Sequence, residues 1–427
     1  MVLELKRRGI LFGVICLFLA MPGILFSQNA KPTVTLLTWS HFVAGYNEEL
    51  QSEVAAWAAQ KGVNARVDFL SLPDLTTRLT AEVESQQGHD VVVVWNFSPA
   101  LYKENLLNLD DVAANLERQY GPWTDGGKYL CQIDGHWKAL PWTNQALLAN
   151  INTKYWAQAG YTVSQVANLT WDKFLDAAKK LQAIGHPVGF ALNATFDANG
   201  GLYPIIWSFG ANVIDSKGNI VLDSPQMRAA MEYVKKLAQF MPAEVYAWDD
   251  AGNNKFILSG VGSWTPNPPS IRPAAIKSEL PVADEIDHVS MPSGINGSYR
   301  VADFINLGIW KFSKNIDLSK DLVSYLLSQD NMKKQVMASQ GYNVPSLTGY
   351  PLLANWWKEN PDLRLNYYNP SPDKVRPSGW PAPPGKTIQI VYNLNIIPQM
   401  FAKYAKGDLT LDNAIAWGIQ QIQQVIH

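Results

Sequence analysis

The run Thr33–Trp39 is apolar and rich in β-branched residues, and it predicts a strand that ends at Ser40-His41. Tyr46, Leu50, Val54, Trp57 and Ala58 then recur at helical spacing on one face. Val63, Ala65, Val67 and Phe69 alternate with polar residues, which is strand spacing. Pro73 opens another helix, with Leu75, Leu79 and Val83 on its inner face. Asp90-Val-Val-Val-Val-Trp95 is a short continuous apolar run, the mark of a strand covered on both faces. The order β-α-β-α-β predicts the start of a doubly wound α/β unit.

A second unit of the same kind begins near Leu140. Residues 146–152 read as a strand, Thr170 caps a helix carrying Trp171, Phe174, Leu175, Ala178 and Leu181, and 188–192 reads as a short strand. Asp215-Ser-Lys-Gly-Asn219 is a hairpin-type turn. Ser224-Pro225 supplies a cap and a first-turn proline for a helix whose inner face holds Met227, Ala230, Met231, Val234, Leu237 and Ala238. Residues 306–310 read as a strand, and Leu318, Leu322, Tyr325, Leu326 and Met332 follow on a helix. Residues 361–385 hold seven prolines and read as an extended surface loop, with helices at about 388–405 and 411–426.

Composition narrows the class. The chain has 427 residues, 47% of them hydrophobic, with 35 Lys+Arg against 37 Asp+Glu. That is ample for two large lobes and excludes a disordered chain. Near-neutral charge argues against a nucleic-acid partner. The 16 Trp and 17 Tyr call for a binding surface as well as a core.

The N-terminus reads as a secretory signal over residues 1–27. Lys6, Arg7 and Arg8 precede an uncharged apolar run at 9–26, and small or polar residues follow from Ser27 to Ala30. An uncleaved anchor is the alternative. Removal of the signal leaves Cys131 as the one cysteine, so no intramolecular disulfide or all-cysteine zinc site is available. A periplasmic or extracellular protein held together by its cores is expected.

Several motifs taken together resemble the extracellular solute-binding proteins of family 1, the sugar-type receptors of ABC importers. The most specific are Gly135-His-Trp-Lys-Ala-Leu-Pro-Trp-Thr-Asn144, Asn152-Thr-Lys-Tyr-Trp-Ala-Gln-Ala-Gly-Tyr161 and Thr170-Trp-Asp-Lys-Phe174. Ile206-Trp-Ser-Phe-Gly210, Leu222-Asp-Ser-Pro225, Phe256-Ile-Leu-Ser-Gly260 with Trp264, and Gly341-Tyr-Asn-Val-Pro-Ser346 follow in the family's order. The chain departs from the pattern at Asn152-Thr and in the Pro-rich loop. The resemblance implies a two-lobe periplasmic-binding-protein-like α/β fold of type II, each lobe a sheet flanked by helices, joined by a multi-strand hinge. Crossovers near Leu140, 297–302 and 343–346 would divide the chain into 32–140 plus 300–343 and 141–299 plus 344–427. It also implies a monomer that takes a mono- or oligosaccharide in the cleft between its lobes and delivers it to an ABC permease in the inner membrane, with no cofactor and no metal.

A sugar offers apolar C–H faces and a rim of hydroxyls, so its site needs aromatic plates and directional polar groups. Trp39 and Ser40 end the first strand and Trp95 and Asn96 the third, where the carboxyl ends of strands face a cleft. For both rings, core packing is the alternative. By resemblance, Asn144 at the first crossover and Tyr203 beside Gly200-Gly201 face the ligand, and Trp264 is the aromatic plate of the second lobe, with Asn267 near it. Trp142 and Trp207 read as packing residues. Arg300 and Asp303 flank the second crossover, with a structural salt bridge as the alternative, and Tyr342 lies at the third. The adjacent pairs Asp110-Asp111 and Asp249-Asp250 read as caps or solvated surface, because chain neighbours rarely face each other as catalytic carboxylates do. No metal-binding histidine spacing, nucleophile elbow or dinucleotide loop occurs. A non-sugar solute in the same fold (a polyamine, a phosphate ester, a metal chelate) and an exported glycan-active enzyme are the other readings. Acidic cleft residues would favour the polyamine.

Overall fold

The strands β1 (Thr33–Trp39), β2 (Asn64–Leu70) and β3 (Val91–Trp95) are parallel neighbours, in the order β3-β1-β2. They form one end of a larger mixed sheet in a computed structural model that describes residues 31–43, 45–350 and 374–426. Residues 1–27, assigned to the signal, lie outside the described residues, as does 361–373 of the Pro-rich loop. The hairpin β4 (Gln132–Ile133) and β5 (His136–Trp137) stands apart. The strands β6 (Leu140–Ala146), β10 (Tyr299–Ile309), β11 (Val344–Pro345) and β12 (Lys374–Arg376) complete the large sheet, with β7 (Leu148–Asn152), β8 (Trp264–Asn267) and β9 (Ile286–Val289) lying elsewhere. The order is β11-β6-β10-β3-β1-β2, and β12 pairs with the first residues of β10. A second, three-stranded sheet has the order β8-β7-β9, all antiparallel.

The chain passes from the large sheet to the small one at Leu147, between β6 and β7, beyond the crossover expected near Leu140. Residues 140–146 stay in the large sheet because they pair with β10 and, at Asn144 and Thr143, with β11. The expected strand at 146–152 is thus split between two sheets. A strand expected at 188–192 is a single bridge from Val188 to Trp264, made by Ser263 donating to the Pro187 carbonyl and Gly189 to the Trp264 carbonyl. The helix expected at 388–405 is two, Lys386–Asn393 and Ile396–Lys406, broken at Asn395, whose φ is 50°.

The helices form where apolar faces and caps coincide. Tyr46, Leu50, Val54, Trp57 and Ala58 are all buried on the helix Gly45–Lys61. Ser71 caps Leu72–Ser85, Thr170 caps Trp171–Ala183 and Ser224 caps Pro225–Ala238, each accepting from a first-turn N–H. One main apolar cluster runs through the molecule, and a small satellite groups Phe256, Ile257, Ile271, Ala275, Val282, Ala283 and Ile286. The described residues from Pro32 onward form one compact unit.

Candidate functional site

The carboxyl ends of β1, β2 and β3 open onto a cavity of about 500 Å³. Its walls come from segments far apart in the chain. Trp39 and the following Ser40, His41 and Phe42 supply one side, with Ser71 to Pro73 at the helix start after β2, and Trp95 at the end of β3. Gln145 and Leu147 line it where the chain changes sheets. Asp303 enters from β10 and Tyr342 from the segment before β11. The lining is completed by Phe196 and Asp197 at the start of the helix Phe196–Ser208, by Asp250, Ala251 and Asn254, by Asn267 at the end of β8 with Pro268 and Ser270 beyond it, and by Tyr392 from the helix Lys386–Asn393.

Aromatic rings are arranged in two groups. Trp39 meets Trp95 edge to face, with ring centroids 5.2 Å apart, and lies 6.3 Å from Tyr342. Phe196 and Tyr392 form a tilted pair at 5.3 Å. Such rings present flat apolar faces to C–H groups. Between them sit polar groups held in fixed directions. Asn267 is 4% exposed and saturated by Asn253, Asn254 and Ser270, so its orientation is locked.

Three carboxyl groups converge on the cavity. Asp303 accepts from Asn96 Nδ2 at 2.7 Å and from Tyr392 Oη at 3.3 Å. Asp250 Oδ1 accepts the backbone N–H of Asp197 at 3.1 Å, which fastens the start of the Phe196–Ser208 helix. Asp197 Oδ2 is buried and has no hydrogen-bond partner. Burial raises the pKa of all three carboxyls. Asp197 is pushed well above the usual carboxylate range, first by burial and then by repulsion from Asp250 and Asp303. Asp303 is raised by burial against the opposing effect of Asn96, Tyr392 and the nearby Trp95 indole N–H, whose geometry falls short of a hydrogen bond. Asp250 is raised mainly by burial. No Lys or Arg is among the lining residues. His41 stays neutral, its pKa lowered to about 3 by burial, and its Nδ1 accepts the Val43 N–H at 2.9 Å.

Of the residues singled out in the sequence, Trp39, Ser40, Trp95, Asp303 and Tyr342 line this cavity. Asn96 lies behind it, fully buried at φ 44°, and holds Asp303 while its carbonyl accepts the Phe304 N–H at 2.8 Å. Four expectations need correction. Trp264, expected as the plate of the second lobe, is 1% exposed and packs at 4.7 Å on Phe174; it pairs with Ile151, which turns its ring into the core under the small sheet. Tyr203 is 1% exposed and packs against Trp207 at 5.2 Å, on the inward face of its helix. Asn144 gives its side-chain amide to the Val344 carbonyl at 3.2 Å, stitching β6 to β11. Arg300 stands opposite Val375 in the β10–β12 pairing, outside the lining.

Asp197, Asp250, Phe196 and Tyr392 were not anticipated. Asp249 behaves as the expected surface residue, paired with Lys255 at 2.9 Å, whereas its neighbour Asp250 turns into the cavity. A helix start after Thr195 was the available signal for Asp197, since its cap places Asp197 in the first turn. Trp142 and Trp207 are packing residues as read: Trp142 donates to Gln335 Oε1 at 2.8 Å and Trp207 to the Trp380 carbonyl at 3.0 Å. Among the described residues there is no group of side chains able to hold a metal ion and no helix long and apolar enough to cross a membrane.

Comparison with solved structures gives matches over nearly the whole chain. Maltose-bound MalE3 of T. maritima is 19% identical with a TM-score of 0.76, covering 92% of this chain and 99% of that one. A solute-binding protein of Thermotoga lettingae with bound alpha-D-tagatose is 18% identical at TM-score 0.77, covering 92% and 100%. A sugar transporter protein of Arthrobacter chlorophenolicus with bound laminaribiose is 13% identical at TM-score 0.77, covering 92% and 99%. At these identities the likeness establishes the fold, a two-sheet α/β architecture of the periplasmic binding type. No curated protein sequence matches the chain. The family model of bacterial extracellular solute-binding proteins matches residues 54–364. The chain belongs to the bacterial extracellular solute-binding proteins.

Proposed function

We propose that this protein is a periplasmic or extracellular receptor that captures a carbohydrate between two lobes and delivers it to an ABC permease in the inner membrane. The observation that carries the proposal is the cavity at the carboxyl ends of β1–β3, lined by the Trp39–Trp95 pair and the Phe196–Tyr392 pair. Aromatic faces pack against pyranose C–H groups, and buried polar groups select among hydroxyl arrangements because a wrong epimer leaves one of them unpaired. The large sheet and the small sheet are the cores of the two lobes. The chain crosses between them at Leu147 and near Tyr299, and the strands there are the hinge. A ligand that touches both walls favours the closed arrangement in proportion to the contacts it makes only there.

The protein acts as a monomer and needs no cofactor. Its leader, residues 1–27, directs export. It binds without turnover: Asp197, Asp250 and Asp303 are fixed by neighbours or buried without a partner. A thermal-shift screen of the purified protein against mono- and oligosaccharides tests the reading, because a ligand that binds only the folded state raises the melting point by mass action. A saturable rise with one sugar, with the sugar recovered unchanged, is expected. Hydrolysis of that sugar, or no rise with any of them, contradicts it.

A further inference from the structure

Among the described residues, the cavity lining holds three carboxyl groups and no Lys or Arg. Asp197 comes from a helix start, Asp250 from the loop before Gly252–Leu258 and Asp303 from β10, so three unconnected elements bring acid to one place. Asp303 has the side-chain donors Asn96 and Tyr392, and Asn253 stands beside Asp197; all three are neutral. Of the polar groups around them, His41 is held neutral and Gln145, Asn254, Asn267 and Ser270 carry no charge. An acid cluster with neutral donors alone is poorly compensated, since a buried charge needs an opposite one. Two further observations place ligand groups in the cavity. Asp197 Oδ2 is buried without a hydrogen-bond partner and calls for a donor, and the indole N–H of Trp95, a lining residue only 8% exposed, calls for an acceptor such as a sugar oxygen. The same walls carry the aromatic faces of Trp39, Phe196 and Tyr392, which attract a cation as well as a sugar ring.

We propose that the ligand is a carbohydrate bearing a protonated amine, an amino sugar or an oligosaccharide of one, with the ammonium group among Asp197, Asp250 and Asp303. The inference rests on the carbohydrate reading above and names the class within it. The ring's hydroxyls face the amides of Asn254 and Gln145, its C–H faces meet the indole and phenol rings, and its ammonium group donates to the Asp197 Oδ2 left unpaired in the free protein. A neutral sugar of the same shape leaves the acid cluster without its counter-charge.

The test is calorimetric titration of the full protein at pH 7 with matched sets: glucosamine, glucose and N-acetylglucosamine; galactosamine, galactose and N-acetylgalactosamine; the glucosamine disaccharide and cellobiose; and spermidine as an amine without hydroxyls. At least one amino sugar is expected to bind ten-fold or more tightly than both of its neutral partners. Asp197→Asn should bring that ratio close to one, and Asp303→Asn should do the same through a differently placed carboxyl, with the unfolding midpoint of each variant showing that it is folded. Neutral sugars binding as tightly as their amino partners overturn the inference and leave the carbohydrate reading standing. Spermidine binding with no sugar bound overturns both. An amino-sugar preference that both folded variants retain overturns the assignment of the ammonium to this cluster.

Discussion

Asn96 donates its side-chain amide to Asp303 Oδ1 at 2.7 Å while its side-chain carbonyl accepts the N–H of Phe304 at 2.8 Å. One residue thereby locks both the carboxyl group and the strand that carries it. The left-handed backbone at φ 44° suits asparagine, which tolerates that region better than most residues. Replacing Asn96 by Ala frees the Asp303 carboxyl and leaves the buried Phe304 N–H short of an acceptor. An unsatisfied buried group costs about 1–3 kcal/mol. Ligand affinity measured by titration should fall about ten-fold or more, with a measurable loss of stability as well.

Trp39 and Trp264 both end or begin a strand, and the structure separates their roles. Trp39 lines the cavity, whereas Trp264 lies in the core against Phe174. Trp264→Ala should therefore destabilise the fold by about 3–5 kcal/mol, the usual cost of emptying a large core site. Trp39→Ala should weaken ligand binding at least ten-fold, and more than Trp264→Ala does in whatever fraction of that variant folds. Chemical unfolding and titration of the two variants side by side check this.

Gly200 keeps Leu147 where it is. A β-carbon at Gly200 would stand 2.0 Å from Leu147 Cδ2, and Leu147 is both the crossover residue and part of the cavity wall. Leu147 is flexible at its end, so Gly200→Ala should fold by swinging that side chain away, and the cavity wall moves with it. The expected outcome is a several-fold weaker ligand with a modest drop in unfolding midpoint. Unchanged affinity in a folded variant would show that the wall does not depend on this contact.

Glu53 supplies a pH dependence unrelated to the cavity. It is 2% exposed, accepts from Gln335 Nε2 at 2.7 Å, and burial pushes its pKa up from 4.5 to about 8. Glu49 adds to the rise, while Gln335 and Lys334 oppose it. Because the folded state holds this proton more tightly than the unfolded chain, the contribution is complete below about pH 4.5 and is lost as the pH rises through about 8. Glu53→Gln removes the titrating group. The difference in stability between wild type and variant should therefore shift in the variant's favour across that window, and unfolding curves at pH 5 and pH 9 measure it.

Much of the scaffold is written locally. The four valines before Trp95 form a doubly covered strand wherever they are placed, and the apolar faces of Gly45–Lys61 and Pro225–Ala238 with their flanking caps leave little freedom. The carboxyl ends of β1 and β3 were legible for the same reason, and they gave Trp39, Ser40 and Trp95. What escaped depends on pairing between distant segments. Trp264 turns inward because β8 lies beside β7, which its own sequence does not state. Asp250 differs from Asp249 only in which way the loop carries it, and Tyr392 reaches the cavity from a helix far along the chain from Phe196, its ring partner there. Carboxyl groups that meet only after folding leave no spacing in the chain.

The central claim is that one cavity, walled by Trp39 and Trp95 and by Phe196 and Tyr392, holds the solute. Its most direct measurement is titration of a carbohydrate panel into the wild-type protein and into a folded Trp39→Ala, Tyr392→Ala double variant. One-site saturable binding by wild type, weakened at least a hundred-fold in the double variant, is the predicted result. Equal affinity for the same sugar in both proteins would contradict it.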